Sequence, residues 1–293
     1  TINDFLTSRL TQKINETHGK AKVVCCFNAF AHNDQLNDLA SSIRDLMAPD
    51  GIFIFEVQYL VDIIDDMVLG AVHHEHVSHH SVKPMQQFLD RKGMELLNVE
   101  QNHYQGGSFI GVAQLKGGPR KVDESVEQHV DYEVKRGFDR SEIIKDFSKR
   151  LISLRTELAS LIKKWQEEGA IIAGYGATRS GPTLIAQFKC GKDISYIVDD
   201  HPQKVNRYTP GDKIKVLPTK ELYLRMPKYT IILAWVHSIK IILDNLDYLK
   251  KGGHFVLCCP EVKVIDAQNW EETTNQLSAK EASLDLDNNY RSL

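Results

Sequence analysis

The 293-residue sequence has no C-x-x-C spacing and no marked excess of charge. No apolar run approaches the roughly 20 residues of a membrane span. Its five cysteines are Cys25, Cys26, Cys190, Cys258 and Cys259. Two adjacent pairs fall inside strand-like runs, where neighbours point to opposite faces. They read as reduced core thiols of a cytoplasmic protein, and a zinc site of the C-x-x-C type is unsupported. A net charge of −3 gives no electrostatic reason to expect nucleic acid or an anionic membrane as partner. The metalloprotease pattern H-E-x-x-H is also missing, because Ser78 stands where the second histidine after His74-Glu75 belongs. A secretion signal is absent and the first residue is Thr1, so the chain is expected to be part of a longer polypeptide. What is present is enough apolar residue, 42%, to build two cores or one large one.

The chain organises around Ile52–Val57, a strand by its apolar, β-branched run, and Tyr59–Leu69, apolar at helical spacing. Upstream come a helix over residues 1–18 closed by Gly19, a strand Val23–Phe27, and a helix from Leu36 to Met47 ended by Pro49-Asp-Gly. Strand, helix, strand implies parallel pairing. Downstream lie a helix at Val82–Leu89 and two strands, Met94–Glu100 and Ser108–Leu115, joined at Gly106-Gly107. This order resembles the second half of a class I methyltransferase sheet. Residues 1–118 are taken as that half domain, and 119–168 as a charged linker plus a long helix, Ser141–Gln166. The helix repeats apolar residues in steps of three and four, leaving a coiled-coil seam or packing on the next domain open. Residues 169–267 read as a doubly wound parallel domain, with strands near 171, 195, 214, 230 and 254, and 268–293 as a polar tail. The fold class is therefore α/β: a truncated Rossmann-like half-sheet followed by a second doubly wound α/β domain.

Between residues 73 and 80 stand five histidines and Glu75, just where a strand–helix unit gives way to a loop. The loop reads as solvated and inert, as a metal site drawn from His73, His76, His79 or His80, or as an acid–base centre. The third is adopted, with His76 as base and Glu75 orienting it, because imidazole titrates near neutrality and a carboxylate fixes its tautomer. No metal ligand is assigned. Gly174-Tyr175-Gly176-Ala177-Thr178-Arg179-Ser-Gly181 follows a strand, but its third glycine falls two positions late for a dinucleotide fingerprint. Phosphate contact at a helix start and tight strand–helix packing both remain open there. Asp199 ends a strand, where it serves either a ligand or an N-cap. Asn28, Phe30 and His32 follow another strand end, where Phe30 borders a ligand or fills the core.

Phe55-Glu-Val-Gln-Tyr-Leu-Val-Asp and the later His73-His-Glu-His76-Val-Ser78 resemble motifs of the sugar-nucleotide C-methyltransferases. So do Asn28-x-Phe-Ala-His32, Gly106-Gly107-Ser108, Gly174-Tyr-Gly-Ala-Thr178, Val198-Asp199, Arg207-Tyr-Thr-Pro-Gly211, Ala234-Trp235 and Pro260-Glu-Val-Lys-Val, in one order over about residues 20–265. The resemblance implies methylation, by S-adenosylmethionine, of the carbon beside the ketone of a nucleotide-linked deoxy-ketosugar. It implies that Asn28, Phe30 and His32 border that methyl donor. Gly106, Gly107, Ser108, the 174–179 loop, Asp199 and Trp235 would meet the substrate, in a cavity shared by the two domains. His73 replaces the family's tyrosine before H-E-H and is counted as catalytic beside His76 and Glu75, its imidazole substituting for a phenolic hydroxyl near the enolate oxygen. Gln58 replaces the family's proline, Ile110 its arginine and Val236 its asparagine, so substrate identity is less secure than reaction class. The family's zinc-binding segment and the glycine loop for the methyl donor would precede residue 1, and this chain alone is expected to bind the donor weakly. The first strand's edge would then need covering by a preceding region, another polypeptide or self-association. The rival readings are a non-catalytic, sugar-nucleotide- or partner-binding remnant of the scaffold and an NAD-dependent sugar oxidoreductase.

Overall fold

The computed structural model describes residues 1–290, with side chains through Lys280 and at Ala282. Two compact units emerge, one containing residues 1–63 and 74–143, the other 64–73 and 144–282. No described helix is long and apolar enough to cross a membrane.

The first unit contains α1 (Ser8–His18), β1 (Ala21–Phe27), α2 (Leu36–Leu46), β2 (Met47–Gln58), the start of α3 (Leu60–Asp65), α4 (Val82–Arg91), β3 (Met94–Asn102), β4 (Ser108–Leu115) and α5 (Glu124–Arg136). Its sheet has the order β1-β2-β4-β3, with β1 and β2 parallel and β4 antiparallel to both of its neighbours. Three strands therefore share a direction and end on one edge. This is the half-sheet expected from the sequence, with the ribbon's second strand inserted beside β2.

Alternation along β2 decides which face is core. Phe53, Phe55 and Val57 are buried with Ala40 and Ile43 of α2, Val82, Met85 and Leu89 of α4, and Val126 of α5. Ile52 and Ile54 point the other way and are only half-buried. On that same face of the edge strand β1, Val23 and Phe27 are about half exposed, at 53% and 49%.

The second unit contains the long helix α6 (Glu142–Glu167, entering the unit at Ile144), β5 (Ile172–Tyr175), α7 (Gly181–Phe188), β6 (Tyr196–Asp199), β7 (Val216–Pro218), α8 (Lys220–Arg225), β8 (Tyr229–Ile232), α9 (Ser238–Asp244), α10 (Leu246–Lys250), β9 (His254–Leu257), β10 (Lys263–Ile265) and, as far as Ala282, α11 (Trp270–Tyr290). The sheet order is β10-β9-β8-β5-β6-β7, parallel except for β10. The order reverses around β5, as in a doubly wound domain, and puts the ends of β5, β6 and β8 side by side. The seam of α6 packs on this sheet: Leu154, Leu158, Ile162 and Trp165 are buried in its core, and Trp165 stacks on Tyr229 at 3.9 Å.

Four expectations need correction. Met47 opens β2 and does not end α2. The stretch expected as linker forms α5, capped by Asp123, whose carboxylate accepts from Ser125 N–H at 2.9 Å. Its buried stripe is polar: Ser125, His129 and Glu133 recur every four residues and are each hydrogen-bonded. Glu133 accepts from the N–H groups of Val82 and Lys83 at 2.5 and 3.0 Å and so caps α4. Burial pushes its carboxyl upward against these bonds. The supposed tail carries α11, held through Trp270, Leu277 and the buried Thr273 and Thr274; its last residues, 291–293, lie outside the described ones. Finally, β10 adds an antiparallel strand where none was expected.

Candidate functional site

The ends of β1, β2 and β3 gather the first group of candidate residues. Asn28 turns out of β1 in the left-handed region (φ +50°), which asparagine tolerates better than most residues. Its Nδ2 donates to Glu56 Oε2 at 2.9 Å, while Asn102 Nδ2 donates to Glu56 Oε1 at 3.1 Å. A nearly buried carboxylate at the end of β2 thus ties together the loops after β1 and β3. Glu56 lay inside a quoted motif yet carried no assigned role; only the pairing register reveals its two amide partners.

The histidine loop closes on the same region. Val77 N–H donates to Ala31 O at 3.1 Å, and His32 Nδ1 donates to the backbone carbonyl of Glu75 at 2.9 Å. The rings of His32 and His76 then meet edge to face at 4.7 Å, and His79 stands 6.1 Å from His76. His32, expected at a cofactor, is therefore a direct neighbour of the expected base. Glu75 anchors the arrangement through its main chain. Phe30 is fully buried against Phe53, Phe55 and Phe88, so its ring belongs to the core. His80 is buried as well, 5.9 Å from Phe30, with its Nε2 3.0 Å from Ser78 Oγ. Burial first, and His79 second, press it down to about 4 from the ordinary 6.5.

The Gly106-Gly107 turn is a close approach. Both residues have positive φ, and a Cβ on Gly107 would lie 2.3 Å from Asp62, whose carboxylate oxygens accept from Gln101 Nε2 at 2.8 and 2.9 Å. Gly107 O accepts from Tyr59 N–H at 3.1 Å. Ser108 is buried, with its hydroxyl on Tyr104 O. Among the described residues, no group of three or more His, Cys, Asp or Glu side chains is arranged to hold a metal ion.

In the second unit the loops after β5, β6 and β8 bring the second group together. Gly176, at φ +92°, lies so close to Ala234 that a Cβ would come within 2.4 Å of it. Asp199 is buried, with Oδ2 accepting from Ala177 N–H at 2.7 Å and from Lys204 Nζ at 3.4 Å, and Oδ1 accepting from His201 N–H at 2.8 Å. Its carboxylate thus ties two loops together from inside the protein. Thr178 Oγ1 reaches Leu233 O at 3.4 Å, and Arg179 is exposed. Trp235, half-buried, packs on Gly70. Asp199→Ala is expected to cost about 2 kcal/mol, as two part-buried hydrogen bonds lose their buried, charged acceptor. Urea unfolding checks this, and an unchanged midpoint would show that the carboxylate does not serve the fold.

His73 belongs to the second unit and His74, Glu75 and His76 to the first. His73 Nδ1 lies 3.1 Å from Gly70 O. The segment before it is gripped by Arg150, which donates to the carbonyls of Ile64 and Asp65 at 2.9 and 2.8 Å. Met67 and Leu69 sink into the core of the second unit. The sequence pattern of a single helix to Leu69 hid this, since helix α3 stops at Asp65 and Met67 turns to φ +52°.

Comparison with known proteins gives three findings. Residues 103–260 match the family described as C-methyltransferase C-terminal domain. Over 270 residues the chain is 27% identical to the C-methyltransferase NovU of Streptomyces niveus, an alignment that takes in 92% of this chain and 64% of that protein. The chain thus spans less than two thirds of the length of the curated relative it matches. Among solved structures, a SAM-dependent methyltransferase from Anabaena variabilis aligns with TM-score 0.30 at 13% identity, covering 40% of this chain and 58% of that one. A magnesium protoporphyrin IX methyltransferase from Synechocystis PCC 6803 aligns with TM-score 0.27 at 14% identity, covering 33% and 46%.

Proposed function

The chain belongs to the C-methyltransferase C-terminal domain family, and from that premise we propose that the full-length protein methylates carbon at the expense of S-adenosylmethionine. The substrate we assign is a nucleotide-linked deoxy-ketosugar, methylated beside its ketone, with His76 as the base. One observation carries this reading: the His76 ring lies against His32, beyond the co-directional strand ends, in a loop tied to the turn after β1. Ligands of open α/β sheets bind at such ends.

In this mechanism His76 takes the proton from the carbon beside the ketone. The C–H electron pair moves into an enolate, and the enolate carbon forms the new C–C bond. S-adenosylmethionine supplies an electrophilic methyl group, which leaves sulfur with the departing pair remaining there. The proton on His76 returns to solvent. Asn28 and His32 are the residues we assign to the donor. The fit would be electrostatic: the Glu56 carboxylate bonded to Asn28 would favour a positively charged donor near this turn. The exposed side of β1, with Val23 and Phe27, supports the further reading that another segment of the longer protein, or a second copy, covers this sheet.

The oxidoreductase reading loses support at Asp199. An acidic residue at the end of the second strand would bind a ribose in a dinucleotide site, yet here both oxygens are held by the protein's own N–H groups.

The test is isotopic. In deuterated buffer without methyl donor, the full-length protein is expected to wash the α-hydrogen out of a nucleotide-linked ketosugar. With donor labelled in the methyl group, label is expected on carbon. Transfer of the label to oxygen or nitrogen would overturn the reading.

A further inference from the structure

Gly70 lies under the indole of Trp235 with no space between them. A Cβ at residue 70 would stand 2.0 Å from Trp235 Nε1, 2.8 Å from Cε2 and 2.9 Å from Cδ1. Real atoms do not approach so closely, so the contact requires glycine at one side and a flat ring at the other. Gly70 is buried in a short turn whose amides are bonded within the segment: Ala71 N–H to Val68 O at 3.0 Å and Val72 N–H to Leu69 O at 3.0 Å. Leu69 and Met67 hold that turn in the core beneath, and Trp235 packs on the same core. The Gly70 carbonyl faces His73 Nδ1 at 3.1 Å. A carbonyl oxygen can only accept, so Nδ1 carries the proton and, in the neutral ring, Nε2 is the accepting nitrogen.

We propose that Trp235 and Gly70 are positioning residues for His73. The indole seats Gly70, and the Gly70 carbonyl holds the imidazole with its proton on Nδ1 and Nε2 turned to duty as a proton acceptor. This differs from both expectations drawn from the sequence. Trp235 was expected to touch substrate, and His73 to stand in for a phenolic hydroxyl near the enolate oxygen. The catalytic part of the proposal rests on the methyl-transfer reading; the tautomer part does not.

The experiment uses the full-length protein labelled with 15N-histidine. Two-bond nitrogen–proton correlation is expected to show His73 in the Nδ1–H form. In Trp235→Leu the signals should move toward a mixture of both tautomers. That variant's kcat for methyl transfer should fall at least tenfold, with KM for the nucleotide ketosugar within twofold of wild type. Trp235→Phe, whose smaller ring half-fills the space over Gly70, should give an intermediate shift, and it carries the test if the leucine variant does not fold. An unchanged His73 tautomer in the folded variants would overturn the proposal. So would a raised KM with unchanged kcat, which would mean that the indole binds substrate. If the wild-type protein transfers no methyl group, the functional reading fails and the nitrogen spectra alone decide the positioning role.

Discussion

Replacing His76 by alanine in the full-length protein is expected to slow solvent exchange of the sugar's α-hydrogen by roughly a hundred- to ten-thousand-fold, the usual worth of a general base. The argument is geometric. His76 is half-buried, meets His32 edge to face at 4.7 Å and has His79 at 6.1 Å. The main chain beside it is pinned on either side, through Glu75 O to His32 and through Val77 N–H to Ala31 O. A base so restrained loses little rotational freedom on meeting its substrate. Alanine removes the acceptor and leaves these backbone bonds in place, so stability in urea should change little. His32→Ala removes the neighbour and the bond to Glu75 O without removing the base. It should therefore slow exchange by less than His76→Ala does. Exchange within a few-fold of wild type in His76→Ala would show that some other group takes the proton.

The second large effect is on stability in acid. His80 is buried beside Phe30 and held down to about 4, while the unfolded chain's histidine titrates at the ordinary 6.5. Between those two values the unfolded state binds a proton that the folded state refuses. Folding stability therefore falls as pH falls through this window and rises as pH rises through it. The loss amounts to about 3 kcal/mol once the pH is below the folded-state value. Against a usual domain stability of roughly 5–15 kcal/mol, that is enough to unfold a weakly stable unit. Urea midpoints at pH 7, 5.5 and 4.5 measure it. In His80→Gln, whose amide does not titrate, the decline across this window should shrink by most of that amount. An identical pH dependence in wild type and variant would assign the acid sensitivity to other groups.

Much of the architecture was legible because it rests on periodicity. Ile52-Phe-Ile-Phe is a short, continuous apolar run with β-branched residues and forms the middle of β2; Leu154, Leu158, Ile162 and Trp165 step around one helical face and line the core of the second unit. The failures share a cause. Helix α5 buries Ser125, His129 and Glu133 along one stripe, and α11 buries Thr273 and Thr274. Hydrophobic periodicity cannot see a polar stripe whose burial is balanced by partners distant in sequence. Glu133, for example, bonds the start of α4 about fifty residues away.

The candidate residues divide in the same way. The motifs marked which strand ends to take as candidates, since glycines, a turn asparagine and a histidine-rich loop are local features. Their partners are not local. Glu56 meets Asn28 and Asn102, from positions 28 and 46 residues away, only because β1, β2 and β3 end on one edge. Asp199 is occupied by backbone groups from another loop, which no spacing rule could foretell.

By itself the chain's order of residues determined the two α/β sheets, most strand and helix positions, the family and the imidazoles on which the chemistry is proposed to turn. Tertiary structure alone decided that His32 is the neighbour of His76, that Phe30 is core, that Trp235 covers Gly70, and that the residues on either side of the His73–His74 bond belong to different units. The physical reason is range. Alternation and helical spacing are set by neighbours along the backbone, whereas side-chain partners, burial and tautomers are set by atoms that meet only after the chain has packed.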